Sequence, residues 1–128
     1  MSGAARSGPM PTPRDPDWES RVRGSFARQA FMHTLGATLE SVAPGECVIA
    51  LPFDPRLAQQ HGSLHAGAMA AAVDSACGYA ALSLMEPGAA VVSVEFKVNL
   101  LAPGLGERFR AVGRVVRAGR TLTVCAGE

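Results

Sequence analysis

Residues 65–84 read HAGAMAAAVDSACGYAALSL, and this stretch decides the fold of the chain. Alanine is the strongest helix former, and the sequence Glu86-Pro87-Gly88 that follows is typical of a helix end. The stretch therefore predicts one long helix. Because it is apolar on almost every side, we expect this helix to be buried in the core.

Asp74 is a carboxylic acid in the middle of this apolar run. It lies two turns beyond the helix start, too far to cap it, and an unpartnered carboxylate there would be costly to desolvate. The residues one turn away are all small, so another backbone or a flat ligand can approach: Ala70, Ala71, Cys77 and Gly78. Asp74 is either a functional acid or an acceptor of hydrogen bonds from a neighbouring strand or loop.

The start of the predicted helix offers a second chemical feature. Backbone N–H groups in a first helical turn are free and carry partial positive charge, and the small residues Ala66 and Gly67 leave them uncovered. An oxyanion donor and an acid together indicate acyl transfer. Ala66 and Asp74 are about 12 Å apart along one helix. Two antiparallel copies of the helix, related by a two-fold axis, would bring each acid near the other helix start.

The remaining segments predict an antiparallel sheet curled around this helix, which is an α+β fold. A short helix capped by Asp17 runs through Met32 and buries one stripe, made of Val22, Phe26, Ala30 and Phe31. Runs 36–42 and 46–53 form a hairpin through a type II turn at Pro44-Gly45. Three strands follow the central helix, at 91–100 with strict alternation and half-buried, at 107–117, and at 121–126.

Composition limits the class of protein. With 48% hydrophobic residues and a net charge of +1, the chain predicts one globular domain, residues 18–128, after a flexible Pro- and Gly-rich tail, residues 1–17. Aromatic residues are only 5%, which disfavours a nucleic-acid partner, and the central helix is too rich in small residues for a membrane span. Three widely spaced cysteines indicate reduced thiols and a cytoplasmic location.

Two ordered sets of motifs carry a family resemblance. Residues 59–80 combine a polar amide, the turn GSLHAG and Asp74 in an alanine-rich helix; residues 92–121 contain VSVEF, Asn99, PG, GE and RAGRT. From about Leu35 to its end, the chain resembles the hotdog-fold acyl-CoA thioesterases of the phenylacetate-degradation type. The resemblance implies the hotdog fold and hydrolysis of an acyl-CoA without a cofactor, since coenzyme A is part of the substrate. It also implies a homodimer with a shared active site, or a dimer of dimers.

The resemblance assigns roles to individual residues. Asp74 matches the catalytic acid, acting as nucleophile or as general base on water. The backbone N–H of Ala66 or Gly67 matches the oxyanion donor. Gln59 matches an amide that holds the carbonyl or the attacking water, and Ser93 matches a residue that orients water near the acid.

The remaining candidates for the site are histidine and arginine side chains. His65 is expected to order the turn before the helix or to contact substrate. Arg117 and Arg120 bracket a turn, and the resemblance makes them candidates for binding coenzyme A phosphates; the alternative is a solvated arginine pair. His61 and His65 precede the helix, and no third ligand has suitable spacing, so we predict no metal site.

Two other functions fit the same fold. A hydratase or dehydratase acting on acyl thioesters is disfavoured because the central helix carries no histidine after His65. A non-catalytic acyl-CoA binding module would use Asp74 only as a hydrogen-bond acceptor. The acyl group is left open, because small residues such as Ala70 and Ala71 admit aryl, short and medium acyl chains.

Overall fold

A computed structural model describes residues 8–128, which contain one four-stranded antiparallel sheet and a long helix. In chain order the elements are helices α1 (Trp18–Arg28) and α2 (Ala30–Thr34), strands β1 (Thr38–Ala43) and β2 (Glu46–Pro52), helix α3 (Ala66–Leu82), and strands β3 (Arg108–Ala118) and β4 (Thr123–Gly127). A short 3-10 turn, Pro55–Leu57, precedes α3. The sheet order is β1-β2-β3-β4, and α3 packs against β2, β3 and β4. The predicted sheet around a central helix is confirmed.

The first hairpin has the predicted turn. Ala43 pairs with Glu46, so Pro44 and Gly45 are its two central residues. Gly45 has φ +77°, the conformation that a type II turn requires at its third position. Its N–H donates to Ser83 Oγ at 2.8 Å, which ties the tip of the hairpin to the chain just after α3.

Helix α3 packs onto β3 backbone against backbone. Ala76 is fully buried, and a Cβ built at Gly113 of β3 would lie 2.4 Å from the carbonyl carbon of Ala76. That distance is far inside van der Waals contact, so only glycine fits this position without displacing the helix. At Ala76 and Cys77, α3 thus packs closely against the chain's own sheet. The observed span, Ala66–Leu82 with His65 at its N-cap, confirms the predicted central helix.

The N-terminal helix differs from the prediction. It breaks at Gln29, whose extended ψ of 96° separates α1 from α2. The break shifts the helical phase: Val22, Phe26 and Met32 are buried, but the predicted stripe members Ala30 and Phe31 are exposed. Gln29 also bonds to α3, where its Nε2 donates to Ser75 Oγ and its Oε1 accepts from Tyr79 Oη at 3.3 and 3.0 Å.

The predicted half-buried strand at 91–100 is wrong for the described chain. No part of this segment pairs as a strand within residues 8–128, and its alternate apolar residues are exposed, with Val92 at 82% and Phe96 at 62%. Alternation predicts a strand with one covered face, but a strand also needs a neighbour that accepts and donates its backbone hydrogen bonds. The described sheet provides none to this segment.

Arg21 joins α1 to the end of α3. Its guanidinium donates to the carbonyl oxygens of Leu82, Met85 and Glu86 at 2.5–3.0 Å. The carbonyl of Leu82 lies in the last turn of α3 and the other two follow it, at the end of the helix where backbone acceptors lack partners within the helix.

The carboxylate of Asp15 pairs with Arg21 at 3.4 Å, and its Oδ1 accepts from the N–H of Asp17 at 2.9 Å. Asp17 precedes α1, but its side chain makes no capping bond. Residues 1–7 of the expected flexible tail lie outside the described residues, and the division at residue 17 stays a prediction. None of the helices among residues 8–128 has the length and hydropathy needed to cross a bilayer.

Candidate active site

The start of α3 presents one backbone donor that no acceptor in residues 8–128 engages. His65, at the N-cap, accepts the Gly67 N–H on Nδ1 at 2.7 Å, and its carbonyl accepts from Ala68 and Met69 at 3.0 and 3.3 Å. Of the two predicted oxyanion donors, Gly67 is therefore occupied by the His65 ring, and the N–H of Ala66 is available. The role of His65 in ordering this turn agrees with one of its two interpretations.

A cleft of about 400 Å³ opens beside this donor. We call it the helix-start cleft; its lining residues are Gln59, Ser63, Leu64, Ala66, Met69, Leu100, Leu101, Ala102, Pro103 and Gly104. The structure thus brings the predicted amide, Gln59, together with Ala66. The Oε1 atom of Gln59 accepts from the backbone N–H of His61, so this side chain is held within its own turn.

The predicted acid has a hydroxyl partner. Asp74 is half-buried, and Ser93 Oγ donates to its Oδ1 at 2.8 Å. Alternation along residues 91–100 places Ser93 on the same polar face as Glu95 and Lys97. The structure brings the hydroxyl of Ser93 to the acid. Asp74 does not line the helix-start cleft; it lies eight residues farther along α3, about 12 Å at the usual rise per residue.

A smaller cleft of about 240 Å³ lies beside the same helix start. His65, Gly67 and Arg56 are among its lining residues. Arg56 also forms a forked pair with Asp54 at 2.7–3.1 Å. This pairing lowers the pKa of the Asp54 carboxyl to about 2, chiefly through the hydrogen bonds from the Arg56 side chain and backbone N–H.

Comparison with known proteins assigns the family. Residues 61–128 match the model of the thioesterase superfamily. Human acyl-coenzyme A thioesterase 13 is 34% identical over 103 residues, 79% of this chain and 73% of that protein. The chain belongs to the thioesterase superfamily. A relative from Saccharolobus solfataricus is 32% identical over 80 residues; the match covers 62% of this chain and only 56% of the length of that relative.

Solved structures place this thioesterase-superfamily chain in the same fold. A thioesterase family protein from Silicibacter pomeroyi is 55% identical, with a TM-score of 0.85 over 86% of this chain and 81% of that one. The E. coli PaaI protein from the phenylacetic acid degradation operon shares the fold at 23% identity, with a TM-score of 0.74 over 81% and 74%. The hotdog fold and the resemblance to the phenylacetate-degradation type are confirmed.

The arginines expected to bind phosphate lie apart from both clefts of this superfamily member. Arg117 is near the end of β3 and Arg120 follows it, and both are exposed. Neither lines a described cleft, and neither forms an ion pair within residues 8–128. Arg56, which lies beside the helix start, was not among the site residues predicted from the sequence. Its signal was local: Asp54 precedes Pro55-Arg56 and accepts the Arg56 N–H at 2.8 Å.

Two of the three thiols, those of Cys47 and Cys77, have raised pKa values, whereas the hydrogen bond with Cys77 lowers the pKa of Cys125. Burial raises the pKa of Cys47 to about 12. A hydrogen bond with the thiol of Cys125, together with burial, raises the pKa of Cys77. A raised pKa disfavours the thiolate, the reactive form, which argues against Cys47 and Cys77 as nucleophiles at neutral pH. Within residues 8–128 no three His, Cys, Asp or Glu side chains come close enough together to hold a metal ion.

Proposed function

We propose that this chain is an acyl-CoA thioesterase that hydrolyses the thioester to a free acid and coenzyme A. One observation carries the proposal: the half-buried Asp74, hydrogen-bonded to Ser93, lies on a helix whose first residue, Ala66, lines a largely apolar cleft and has a backbone N–H with no acceptor within residues 8–128. Membership of the thioesterase superfamily and the likeness to acyl-coenzyme A thioesterase 13 support it.

The groups divide the reaction between them. The Ala66 N–H stabilises the charge that develops on the thioester carbonyl oxygen, and Gln59 borders the same cleft and positions the carbonyl or water. Asp74 takes a proton from water as the new C–O bond forms, or attacks the carbonyl itself, and Ser93 orients it. As the C–S bond breaks, the proton that Asp74 took from water passes to the sulfur, and coenzyme A leaves as the thiol. In the nucleophilic route the thiolate leaves first and takes a proton from solvent, and water then hydrolyses the mixed anhydride on Asp74 to release the free acid. Water is the only co-reactant.

The distance along α3 supports a site shared between two chains. About 12 Å separates the donor of Ala66 from Asp74, too far for both to act on one carbonyl. A two-fold axis with antiparallel α3 helices gives each carbonyl a donor from one chain and an acid from the other. We therefore propose a homodimer, alone or in a dimer of dimers.

The proposal also covers the residues that contact the bound acyl-CoA. Arg117 and Arg120 carry exposed guanidinium groups, which suit phosphate oxygens, and we propose that they bind the nucleotide end of coenzyme A. His65 is proposed to border the bound thioester, because it lines the smaller cleft beside the same helix start.

We propose a cytoplasmic location, since all three cysteines are free thiols.

Asp74→Asn tests the proposal. Loss of an acid or base group of this kind lowers kcat by about 10²–10⁴-fold. The matched control is Asp17→Asn, because Asp17 is exposed and its side chain makes no capping bond. Hydrolysis is followed by thiol release across aryl, short and medium acyl-CoAs, with oligomeric state checked by light scattering.

Other results would overturn the proposal. Equal hydrolysis by parent and Asp74→Asn removes the acid from the mechanism. Tight acyl-CoA binding by the parent without turnover favours the binding module. Addition of water to an enoyl-CoA favours the hydratase.

A further inference from the structure

The helix-start cleft has the character of a hydrocarbon site. Seven of its lining residues have apolar side chains: Leu64, Ala66, Met69, Leu100, Leu101, Ala102 and Pro103. None of its lining residues carries a charge. The polar side chains among these residues are those of Gln59 and Ser63. Such a lining suits an apolar group attached to one carbonyl, and it offers no cation to the phosphates of coenzyme A.

We propose that this cleft holds the acyl group of the thioester and that Met69 sets the length of chain it admits. This inference rests on the proposed function and deepens it. With its carbonyl oxygen on the Ala66 N–H, the thioester has its acyl chain beside the apolar wall, while the sulfur and the charged coenzyme A leave the cleft.

Met69 is the adjustable part of the wall. It lies three residues after Ala66, hence on the same face of α3, and it is half-buried. Opposite it, Gly104 is buried and fixed, because its carbonyl accepts the Leu64 N–H at 2.9 Å. A Cβ at Gly104 would lie 2.9 Å from Leu64 Cβ and 3.3 Å from Met69 Sδ, so the Met69 thioether and the Leu64 side chain together fill the space that glycine leaves. An unbranched side chain with three rotatable bonds is suited to limiting depth in such a gap.

The experiment compares Met69→Ala and Met69→Phe with the parent on saturated acyl-CoAs of increasing length. Each methylene accommodated or refused in an apolar pocket changes kcat/KM by about 10–200-fold. We expect Met69→Ala to raise the ratio of kcat/KM for the longest chain to that for the shortest by at least about tenfold, and Met69→Phe to lower it. Met85→Ala is the control, since Met85 lies at the far end of α3 and lines neither described cleft.

The outcomes separate this inference from the proposed function. If the parent hydrolyses acyl-CoAs but both Met69 variants keep its length profile, the acyl group lies elsewhere and the inference is overturned. If the profile is kept and the oligomeric state changes, a second copy of the chain occupies the cleft, which also overturns it. If the parent hydrolyses none, the proposed function fails. The inference is then tested by calorimetric affinities of the parent and the Met69 variants for non-hydrolysable S-alkyl coenzyme A thioethers. It stands if Met69→Ala shifts the preferred alkyl chain to a longer one, and it is overturned if the preference is unchanged.

Discussion

The sharpest prediction concerns the substitution Ala66→Pro, which removes one backbone N–H and little else. Ala66 is the first residue of α3, where proline is well tolerated because that N–H makes no helical hydrogen bond. The preceding residue, His65, already has φ −63° and ψ 137°, the conformation that a following proline favours. We therefore expect the free energy of unfolding to change by less than about 1 kcal/mol.

The effect on catalysis is expected to be large. Deleting one oxyanion donor lowers kcat by about 10²–10³-fold. Ala66→Gly is the matched control, because it removes the methyl group but keeps the N–H, and it should hydrolyse acyl-CoA at close to the parent rate. A kcat for Ala66→Pro within about threefold of the parent, where about 10²–10³-fold is predicted, would place the oxyanion site elsewhere and refute the reasoning.

The same variant tests whether two chains share one site. An equal mixture of Ala66→Pro and Asp74→Asn chains, unfolded and refolded together, forms mixed dimers in about half of the molecules if pairing is random. Each mixed dimer has one site with both groups intact and one with neither, so about a quarter of parent activity returns. If donor and acid came from one chain, no intact site would form. Recovery of no activity in confirmed mixed dimers would contradict the shared site.

Three further predictions concern stability and are checked by denaturant unfolding. Arg21→Met should lower the free energy of unfolding by about 3–5 kcal/mol, because it leaves a buried carboxylate and three carbonyls without their cation; a loss below about 1 kcal/mol would contradict this. Gly113→Ala should lower it by about 1–3 kcal/mol or more, since its Cβ meets the backbone of Ala76; unchanged stability would show that α3 yields. The pKa of Asp54 is lowered from 3.8 to about 2 in the folded chain, so its pairing with Arg56 adds stability above the unfolded pKa. The amount by which the free energy of unfolding of the parent exceeds that of Asp54→Asn should thus shrink as pH falls from about 4 to about 2. An increase in this difference on acidification would contradict the prediction.

Local signals account for the features that could be predicted from sequence. The Pro44-Gly45 turn needed only a proline and a residue tolerant of positive φ, and the central helix needed a run rich in alanine that ends before a breaker. Asp74 stood out because a carboxylate in an apolar helix is costly unless it has a partner. The structure supplies that partner in Ser93.

Features that depend on distant contacts were not predictable. The break at Gln29 involves neither proline nor glycine; its side chain bonds to Ser75 and Tyr79 of a helix more than forty residues away. Alternation at 91–100 describes which residues share a face, but it does not say whether a neighbouring strand is present. The loss of Gly67 as a free donor depends on the orientation of the His65 ring, which backbone patterns do not specify.

The hydrogen bond between Ser93 and Asp74 ties the acid to the segment 91–100, which has no strand partner within the described chain. In the proposed dimer, docking of a second subunit would therefore reach both the donor and the hydroxyl that aims the carboxylate. The rate of turnover then depends on the dimerisation equilibrium. Specific activity per chain should fall when the protein is diluted below the dissociation constant of the dimer. A rate measured at trace concentration would therefore underestimate the specific activity of the intact dimer.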